Sequence, residues 1–341
     1  MAIIQFTNKG IYCKKGNFYI DPWEPVNLAV TTHGHADHVK WGNKNYLCHE
    51  LTKPILTTRY GLEDTIQTLP YSKSININGV KLSLHPAGHV VGSSQIRLEY
   101  KGEICVISGD YKVEYDGIST AFEPIKCHTF VSESTFGLPI YHWETQEVIF
   151  NQIKDWIAQN LLKQKTSILV AYSLGKAQRL IKNLAGNYPI YVHNSIANLN
   201  DAFAKAGVNL PETIRIMPET KKENLQQGIV IIPPALAEGK WVKSLMQPAI
   251  GICSGWMMVR AGRRWRSADA GFALSDHADW PGLLTAIKAT EAEKVFVTHG
   301  STAVFSKYLN EIGIEAEEVS TKYGSEENDE EEAPIKPAET P

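Results

Sequence analysis

The segment that most restricts this chain is Thr32-His33-Gly34-His35-Ala36-Asp37-His38, an HxHxDH run. It follows Asn27-Leu-Ala-Val-Thr31, whose apolar and β-branched residues predict a strand. Three imidazoles and a carboxylate packed between residues 33 and 38, spaced by the small Gly34 and Ala36, suit a cation that takes nitrogen and oxygen ligands. In an extended loop His33 and His35 project the same way and can share one metal, while Asp37 and His38 turn toward a second. A chain with this run is expected to end a sheet strand in a polar loop and to bring further ligands to that loop from elsewhere.

Three such ligands stand in matching contexts. His89 lies in HPAGHVVGSSQ, Asp110 in VISGDYK and His299 in VFVTHGS. Each falls at or just beyond the end of a predicted strand, where a rigid backbone can aim a side chain. A lone histidine after a strand is more often a core residue, so these positions gain weight only together with the HxHxDH run. Asp110 is the candidate for a carboxylate placed between two cations, which it can bridge.

The rest of the chain must supply a scaffold. Its 341 residues are more than twice a typical domain, which predicts two domains or one elaborated α/β domain. Hydrophobic residues make up 43% and charged residues 21%, which excludes disorder of the bulk and collagen-like or coiled-coil composition. No apolar run approaches the ~18–20 residues of a membrane helix. The opening MAIIQFTNKG lacks the basic, apolar and small-residue regions of a secretory signal, so no membrane association and a cytoplasmic location are expected. Cys13, Cys48, Cys105, Cys127 and Cys253 are scattered and never form CxxC, which predicts buried free thiols rather than disulfides or a thiolate metal site. The net charge of −3 is unevenly placed. Residues 321–341 carry seven acids against two lysines, a net of −5, so the preceding 320 residues carry +2. That acidic, proline-containing tail is expected to be disordered, serving solubility or competing with nucleic acid for a basic cleft.

Residues 1–140 read as short strands with turn punctuation, including hairpins at Asn78-Gly79 and Lys101-Gly102. From about residue 145 the period changes. Val148, Ile149, Ile153, Trp156, Ile157 and Leu161 recur at helical spacing behind a candidate cap, Thr145. Strands such as SILVA, IYVH, GIVIIP and AIGICS then alternate with helical stretches, a βαβ rhythm that predicts a parallel sheet and a separate domain over 141–265. Over 266–320 a helix capped at Asp279, the strand KVFVTH and a last helix return the chain to the first domain.

HxHxDH with a downstream AGH, an SGD and a late histidine resembles the metallo-β-lactamase fold. Glu133 in SESTFG, the helix start YSLGKAQRL, His277 in SDHAD and His299 in THG narrow the resemblance to the β-CASP subfamily of nucleic-acid-processing nucleases, matching its motifs A (Glu133), B (His277) and C (His299). SGWMMVRAGRRWR followed by FALSDHADWPGLL is most similar to the bacterial ligase-associated DNA exonucleases. The resemblance spans roughly residues 10–320. It implies an α/β architecture, an αββα sandwich with a β-CASP α/β domain inserted between motifs A and B. It implies two divalent metal ions, zinc or manganese, one held by His33, His35, His89 and Asp110 and the other by Asp37, His38, Asp110 and His299. Asp21, in YIDPW, matches the early aspartate that supports the metal loop.

The same resemblance implies phosphodiester hydrolysis by hydroxide formed between two metals about 3.5–4 Å apart. Asp37, His277 and Glu133 are the expected catalytic set. His277 would contact a non-bridging oxygen or protonate the leaving oxygen, and Glu133 would orient His277 or His299. Arg260, Arg263, Arg264 and Arg266, with Trp256 and Trp265 among them, combine phosphate-pairing guanidiniums with stacking faces, although a solvated basic face is the plainer reading. Ser173 and Lys176, at a helix start, are candidates for a phosphate contact through backbone N–H groups. A DNA exonuclease acting in repair is the leading expectation, with an ATP-dependent DNA ligase and an Lhr-type helicase as partners. An RNA-processing β-CASP nuclease is the alternative, because the catalytic motifs serve both. A catalytically dead binding module and a small-molecule hydrolase of the same fold are disfavoured by the complete ligand set and the arginine cluster.

Overall fold

The computed structural model describes residues 2–186, 188–260 and 268–322. They divide into two compact units: residues 1–115, 119–141 and from 277 onward form the first, and residues 116–118 and 142–276 the second.

The first unit is built on two sheets. One runs in spatial order Gln5–Thr7, Gly10–Cys13, Phe18–Ile20, Leu28–Val30, Asn45–Cys48 and Ile66–Thr68. The other runs Glu315–Glu318, Lys294–Thr298, Thr129–Glu133, Glu103–Ile107, Ser94–Tyr100, Val80–Pro86 and Ser74–Ile77. Period-2 alternation assigns the faces. Ile11, Phe18, Val30 and Leu47 from the first sheet pack against Leu82, Leu84, Ile96, Leu98 and Val131 from the second. Their neighbours along the strands point outward. Val106, Phe130, Val295 and Val297 meet Leu283 and Ile287 of the helix Trp280–Thr290 and Phe305 and Leu309 of the helix Thr302–Glu311. Ala29, Tyr46 and Cys48 meet Leu56 of the helix Lys53–Tyr60. Helix, sheet, sheet, helix is thus the layer order.

Turn chemistry sets the register. Ser74–Ile77 pairs with Val80–Pro86 across Asn78-Gly79, and Ser94–Tyr100 with Glu103–Ile107 across Lys101-Gly102. All four turn residues have positive φ, the conformation a two-residue hairpin of this type demands. Asp279 caps the helix behind it by accepting from Gly282 N at 2.9 Å.

Glu103–Ile107, Thr129–Glu133 and Lys294–Thr298 are parallel neighbours. Val80–Pro86 runs in the same direction, being antiparallel to a strand that is itself antiparallel to Glu103–Ile107. Four strand ends therefore fall on one edge of the second sheet, just before His89, Asp110, Ser134 and His299. Ser94 N donates to Thr32 O at 2.8 Å, which ties that edge to the strand end preceding the HxHxDH run in the other sheet.

The second unit is an all-parallel six-stranded sheet, in order Ile214–Arg215, Ile190–Val192, Ile229–Ile232, Thr166–Val170, Pro248–Cys253 and Ala270–Phe272. Parallel sheets need cover on both faces. The helices Gln146–Leu162, Lys176–Leu184 and Asn194–Lys205 supply one side, through Ile153, Ile157, Leu180, Ile181 and Ile196. Leu225, Ala237, Val242 and Leu245 supply the other. Thr145 occupies the cap position of the first of these helices, but its side chain makes no capping bond. The chain stays in this unit to Asp276, past residue 265, because Ala270–Phe272 pairs with Pro248–Cys253. All five cysteines are buried free thiols. No helix among the described residues is long and apolar enough to cross a membrane.

Candidate metal centre

The loop after Leu28–Val30 is held from below by Asp21. Asp21 Oδ1 accepts from Thr32 N at 2.8 Å, and Oδ2 accepts from Thr32 Oγ1 at 2.5 Å and faces His38 Nδ1 at 2.8 Å. With Nδ1 of His38 engaged there, Nε2 is turned toward Asp37 Oδ2 at 3.2 Å and Asp110 Oδ2 at 3.4 Å. Asp21 itself has φ 41°, a left-handed conformation that a non-glycine residue adopts only at a cost of order 1–3 kcal/mol. Arg59 Nη1, from the helix Lys53–Tyr60, donates to Gly34 O at 3.2 Å and braces the loop between His33 and His35.

His35 Nδ1 lies 3.1 Å from His33 Nε2 and 3.0 Å from His89 Nε2, and Asp110 Oδ2 lies 3.5 Å from His33 Nε2 and 3.8 Å from His89 Nε2. Ligand atoms of these four residues all fall within 4.8 Å of one another. The same holds for His38, Asp110 and His299, for His33, Asp37 and His38, and for Asp110, Glu133 and His277. Asp110 is shared by three of the four groupings, so it is the carboxylate that would be common to ions held there. His33 also reaches Asp37 and His38, so the two halves of the site overlap more than a strict division of the run would have it.

This donor set fits divalent cations. Three imidazole nitrogens converge on one point, where a single hydrogen could satisfy only one pair of them, while a cation satisfies all. Asp37 Oδ1 and Asp110 Oδ1 are buried without a hydrogen-bond partner, an expensive arrangement unless charge is brought to them. The electrostatics agree. Burial, reinforced by the neighbouring imidazoles of His38, His89 and His35, pushes His33 well below the usual histidine range despite Asp110, so its lone pair is open. Burial would raise the Asp110 carboxyl, but the imidazoles of His38, His277 and His33 hold it well below the usual carboxylate range. His38 behaves oppositely: burial would lower it, and the carboxylates of Asp37 and Asp110 lift it well above.

The late residues arrive on the return segment. His277 Nδ1 lies 2.9 Å from Glu133 Oε2 and 3.0 Å from Oε1, and Tyr111 N donates to Glu133 Oε1 at 2.7 Å. The carboxylate can only accept, so Nδ1 carries the hydrogen and Nε2 is left to hold or release a proton. The ring centroids of His277 and His89 are 4.6 Å apart. His299, with φ 53°, sits where the chain turns tightly against Ser134, whose hydroxyl donates to both Thr298 O and His299 O. Gly300 makes that turn possible: a Cβ there would stand 2.3 Å from Ser134 O. Gly109, with φ 57°, does the same beside Asp110, where a Cβ would meet Thr32 at 2.7 Å.

The structure thus brings together His33, His35, Asp37, His38, His89, Asp110 and His299, with Asp21 beneath them and Glu133 and His277 beside them. It places the candidate nucleic-acid residues differently. In the second unit Ser173 Oγ lies 2.8 Å from Ser195 Oγ, and Gln178 Oε1 already accepts from Gly175 N at 2.8 Å. Lys176 is buried, its Nζ 3.8 Å from Asp276 Oδ2 and 4.4 Å over the Tyr172 ring. The side chain of Arg260, and Arg263, Arg264 and Arg266 altogether, lie outside the described residues. Two contributions had no signal in the sequence: the Tyr111 amide at Glu133 and the Arg59 guanidinium at the Gly34 carbonyl.

These features define a buried cluster of His and Asp side chains fit to hold divalent metal on an αββα sandwich, the metallo-β-lactamase fold, with an α/β unit inserted ahead of His277. No protein-family model matches the chain. It is 27% identical over 311 residues to a probable DNA ligase of Opitutus terrae, an alignment covering 90% of this chain and 30% of that protein. It is 28% identical over 123 residues to the endoribonuclease YSH1 of Saccharomyces cerevisiae, covering 35% of this chain and 15% of that one. It is 22% identical over 226 residues to the cleavage and polyadenylation specificity factor subunit 3-I of Arabidopsis thaliana, covering 52% and 32%. The chain therefore spans a third or less of the length of each of these relatives. A crystal structure of a protein of unknown function from Enterococcus faecalis V583 shares the fold, with TM-score 0.59 and 12% identity over 87% of this chain and 80% of that one. At this low identity the relatives support a β-CASP metallo-nuclease relationship.

Proposed function

We propose that the chain is a metal-dependent DNA exonuclease that hydrolyses phosphodiester bonds in DNA repair. The observation that carries it is the Asp110 carboxylate, shared between the His33–His35–His89 group and the His38–His299 group and adjoining a Glu133–His277 pair. Divalent cations bound there, zinc or manganese by donor type, supply positive charge for phosphoryl oxygens and acidify water. The protein's own groups do the rest. Asp110 and Asp37 place negative charge where the cations sit, Asp21 fixes the orientation of His38, and Glu133 fixes the tautomer of His277. His277 Nε2 then holds a proton for the leaving oxygen or donates to a non-bridging one.

DNA as substrate is supported by the relative named a probable DNA ligase, because that alignment runs over 90% of the chain whereas the yeast endoribonuclease matches 35%. The same name supports a DNA ligase as the partner, ATP-dependence being part of the proposal; the helicase expectation has no counterpart among these relatives. The endoribonuclease similarity itself favours the second reading, an RNA-processing nuclease.

The test starts from metal-stripped protein with zinc, manganese or magnesium restored. DNA labelled at either end and matched RNA are the substrates, with Asp110→Ala as control. Metal-dependent release of mononucleotides from DNA, lost in the variant, is the expected result. Internal cuts or preferred digestion of RNA would move the assignment to the processing nucleases.

A further inference from the structure

The outer face of the second sheet carries a row of hydrogen bonds that the metal centre does not use. Leu82 and Leu84 of the strand Val80–Pro86 point into the core between the sheets, so Lys81, Ser83 and His85 stand on the opposite face. Ile96 and Leu98 of Ser94–Tyr100 also point inward, which puts Gln95, Arg97 and Glu99 beside that row. The register pairs Lys81 with Glu99, Ser83 with Arg97 and His85 with Gln95. Ser83 Oγ lies 3.0 Å from His85 Nε2, and His85 Nδ1 lies 3.3 Å from Glu123 Oε2. A carboxylate only accepts, so Nδ1 carries the hydrogen and the Nε2 lone pair receives the Ser83 hydroxyl.

Glu123 arrives on the loop ahead of Thr129–Glu133, and its backbone is already fixed there. Glu123 N donates to Pro86 O at 3.2 Å, while Nε2 of the buried Gln95 donates to Glu123 O at 2.6 Å and to Pro86 O at 2.8 Å. The carboxylate is therefore not needed to hold the loop and is left to orient the imidazole. Ser83 itself is buried, but Lys81 on its own strand and Ser74 and Asn76 on the neighbouring one are exposed. The face is thus open around Ser83, which sits low among longer side chains. Arg97, directly opposite Ser83, spends Nη1 on Glu99 Oε2 at 2.8 Å, and among the described residues its Nε and Nη2 have no hydrogen-bond partner. Cβ atoms of such a pair stand about 4.5–5.5 Å apart, so the guanidinium can reach an oxygen on a group attached to Ser83 Oγ. A nucleophile, its base, an acid orienting that base and a cation for the developing oxyanion are the parts acyl transfer requires.

We propose that Ser83, His85 and Glu123 form a second hydrolytic site, independent of the metals, that cleaves small carboxylic esters through an acyl-serine. Ser83 Oγ bonds to the carbonyl carbon as its proton passes to His85 Nε2, and Arg97 balances the charge gathering on the carbonyl oxygen. The bond from that carbon to the alcohol oxygen then breaks, and Nε2 gives its proton to the departing alcohol. Water, deprotonated by the same nitrogen, displaces the acyl group as carboxylic acid and returns the proton to Ser83. Glu123 is a positioning residue that keeps the imidazole hydrogen on Nδ1.

The experiment treats the metal-loaded full chain with a biotinylated alkyl fluorophosphonate, which bonds phosphorus to an activated serine Oγ and releases fluoride. Peptide mass spectrometry locates the adduct, and turnover of p-nitrophenyl acetate is followed in parallel. The adduct is expected on Ser83 and is expected to persist when a chelator has removed the metals. Ser83→Ala abolishes it, and His85→Ala slows labelling and turnover about 100- to 10,000-fold. Glu123→Gln slows both, and Glu123→Asp, which keeps the charge, recovers most of the loss, a recovery that a merely loop-holding side chain would not give. Thermal midpoints establish that each variant is folded. No adduct on the folded unsubstituted protein, an adduct that survives in Ser83→Ala, or a labelling rate that His85→Ala leaves unaltered overturns the proposal. Loss of the adduct on chelation without unfolding overturns it equally.

Discussion

His277 and Glu133 are 144 positions apart in the chain, yet Nδ1 of the one lies 2.9 Å from Oε2 of the other, in a buried pocket beside Asp110. In the proposed function Glu133 acts by setting which nitrogen of His277 carries the hydrogen. Glu133→Gln keeps the shape but offers an amide that can donate as well as accept. Hydrolysis is expected to fall about 10- to 100-fold with metal content retained. Rate–pH profiles run beside metal analysis check this, and an unchanged profile would remove Glu133 from that role.

Asp21 supports the loop through its carboxylate contacts to Thr32 N, Thr32 Oγ1 and His38 Nδ1. Asp21→Asn leaves an acceptor for Thr32 N but withdraws the carboxylate from His38. Cation affinity is expected to drop about 10- to 100-fold, measured by chelator competition. A loss of folding without any change in affinity would show that Asp21 serves only the turn.

Metal removal should be visible as lost stability, because the site gathers ligands from strands far apart in sequence. At free cation 100 times above Kd, each occupied site adds about 2.7 kcal/mol to the folded state. Thermal midpoints taken with and without chelator are expected to separate, and to converge in Asp110→Ala.

Away from the metals, His49 is buried, stacks on Tyr71 at a centroid distance of 3.5 Å, and accepts from Leu51 N at 3.2 Å. Burial pushes it from the usual 6.5 down to about 4. The unfolded chain therefore binds more protons between these values, so the contribution of His49 is complete above about pH 6.5 and is lost as pH falls toward 4. His49→Gln removes that dependence. The stability difference between the two proteins, followed by urea denaturation from pH 7 to 4, is expected to shrink across this window, and a constant difference would contradict it.

In the second unit Arg179 is almost wholly buried, with Nη1 donating at 2.6 Å to both Ser275 O and Asp276 Oδ1, and Nη2 donating at 3.0 Å to Gln146 Oε1. Arg179→Met withdraws the guanidinium from the Asp276 charge, which keeps Lys176 at 3.8 Å. The expected cost is about 3–5 kcal/mol, because removing one partner of a buried ion pair strands the other. Adding Asp276→Asn should recover part of it, a non-additivity that denaturation of the single and double variants measures.

How much of this was visible in the sequence depends on the kind of contact. The hairpins at Asn78-Gly79 and Lys101-Gly102, the cap at Asp279 and the parallel rhythm after residue 145 are local, and local chemistry writes them plainly. The HxHxDH run is contiguous, so its convergence needs only a loop. His89, Asp110 and His299 could be suspected because each follows a strand, and they meet because those strands end on one edge. Lys176 reads as a phosphate-contacting helix start, and nothing near it in sequence announces Asp276, its neighbour in space. Arg59 at Gly34 O and Tyr111 N at Glu133 are contacts to or from the backbone, which leave no trace in residue type.

The insertion also imposes an order in time. Thr129–Glu133 waits for its parallel partner Lys294–Thr298, with roughly 160 residues of other chain between them. At a synthesis rate of about 5–20 residues per second, that is roughly 10–30 s during which one edge of the second sheet stands open, His277 arrives only toward the close and His299 does not yet exist. A nascent polypeptide in that interval already displays His33, His35, His38, His89 and Asp110. It gathers those ligands before Glu133 has His277 beside it, so the apparatus proposed above is completed only by the return segment that carries His277 and His299.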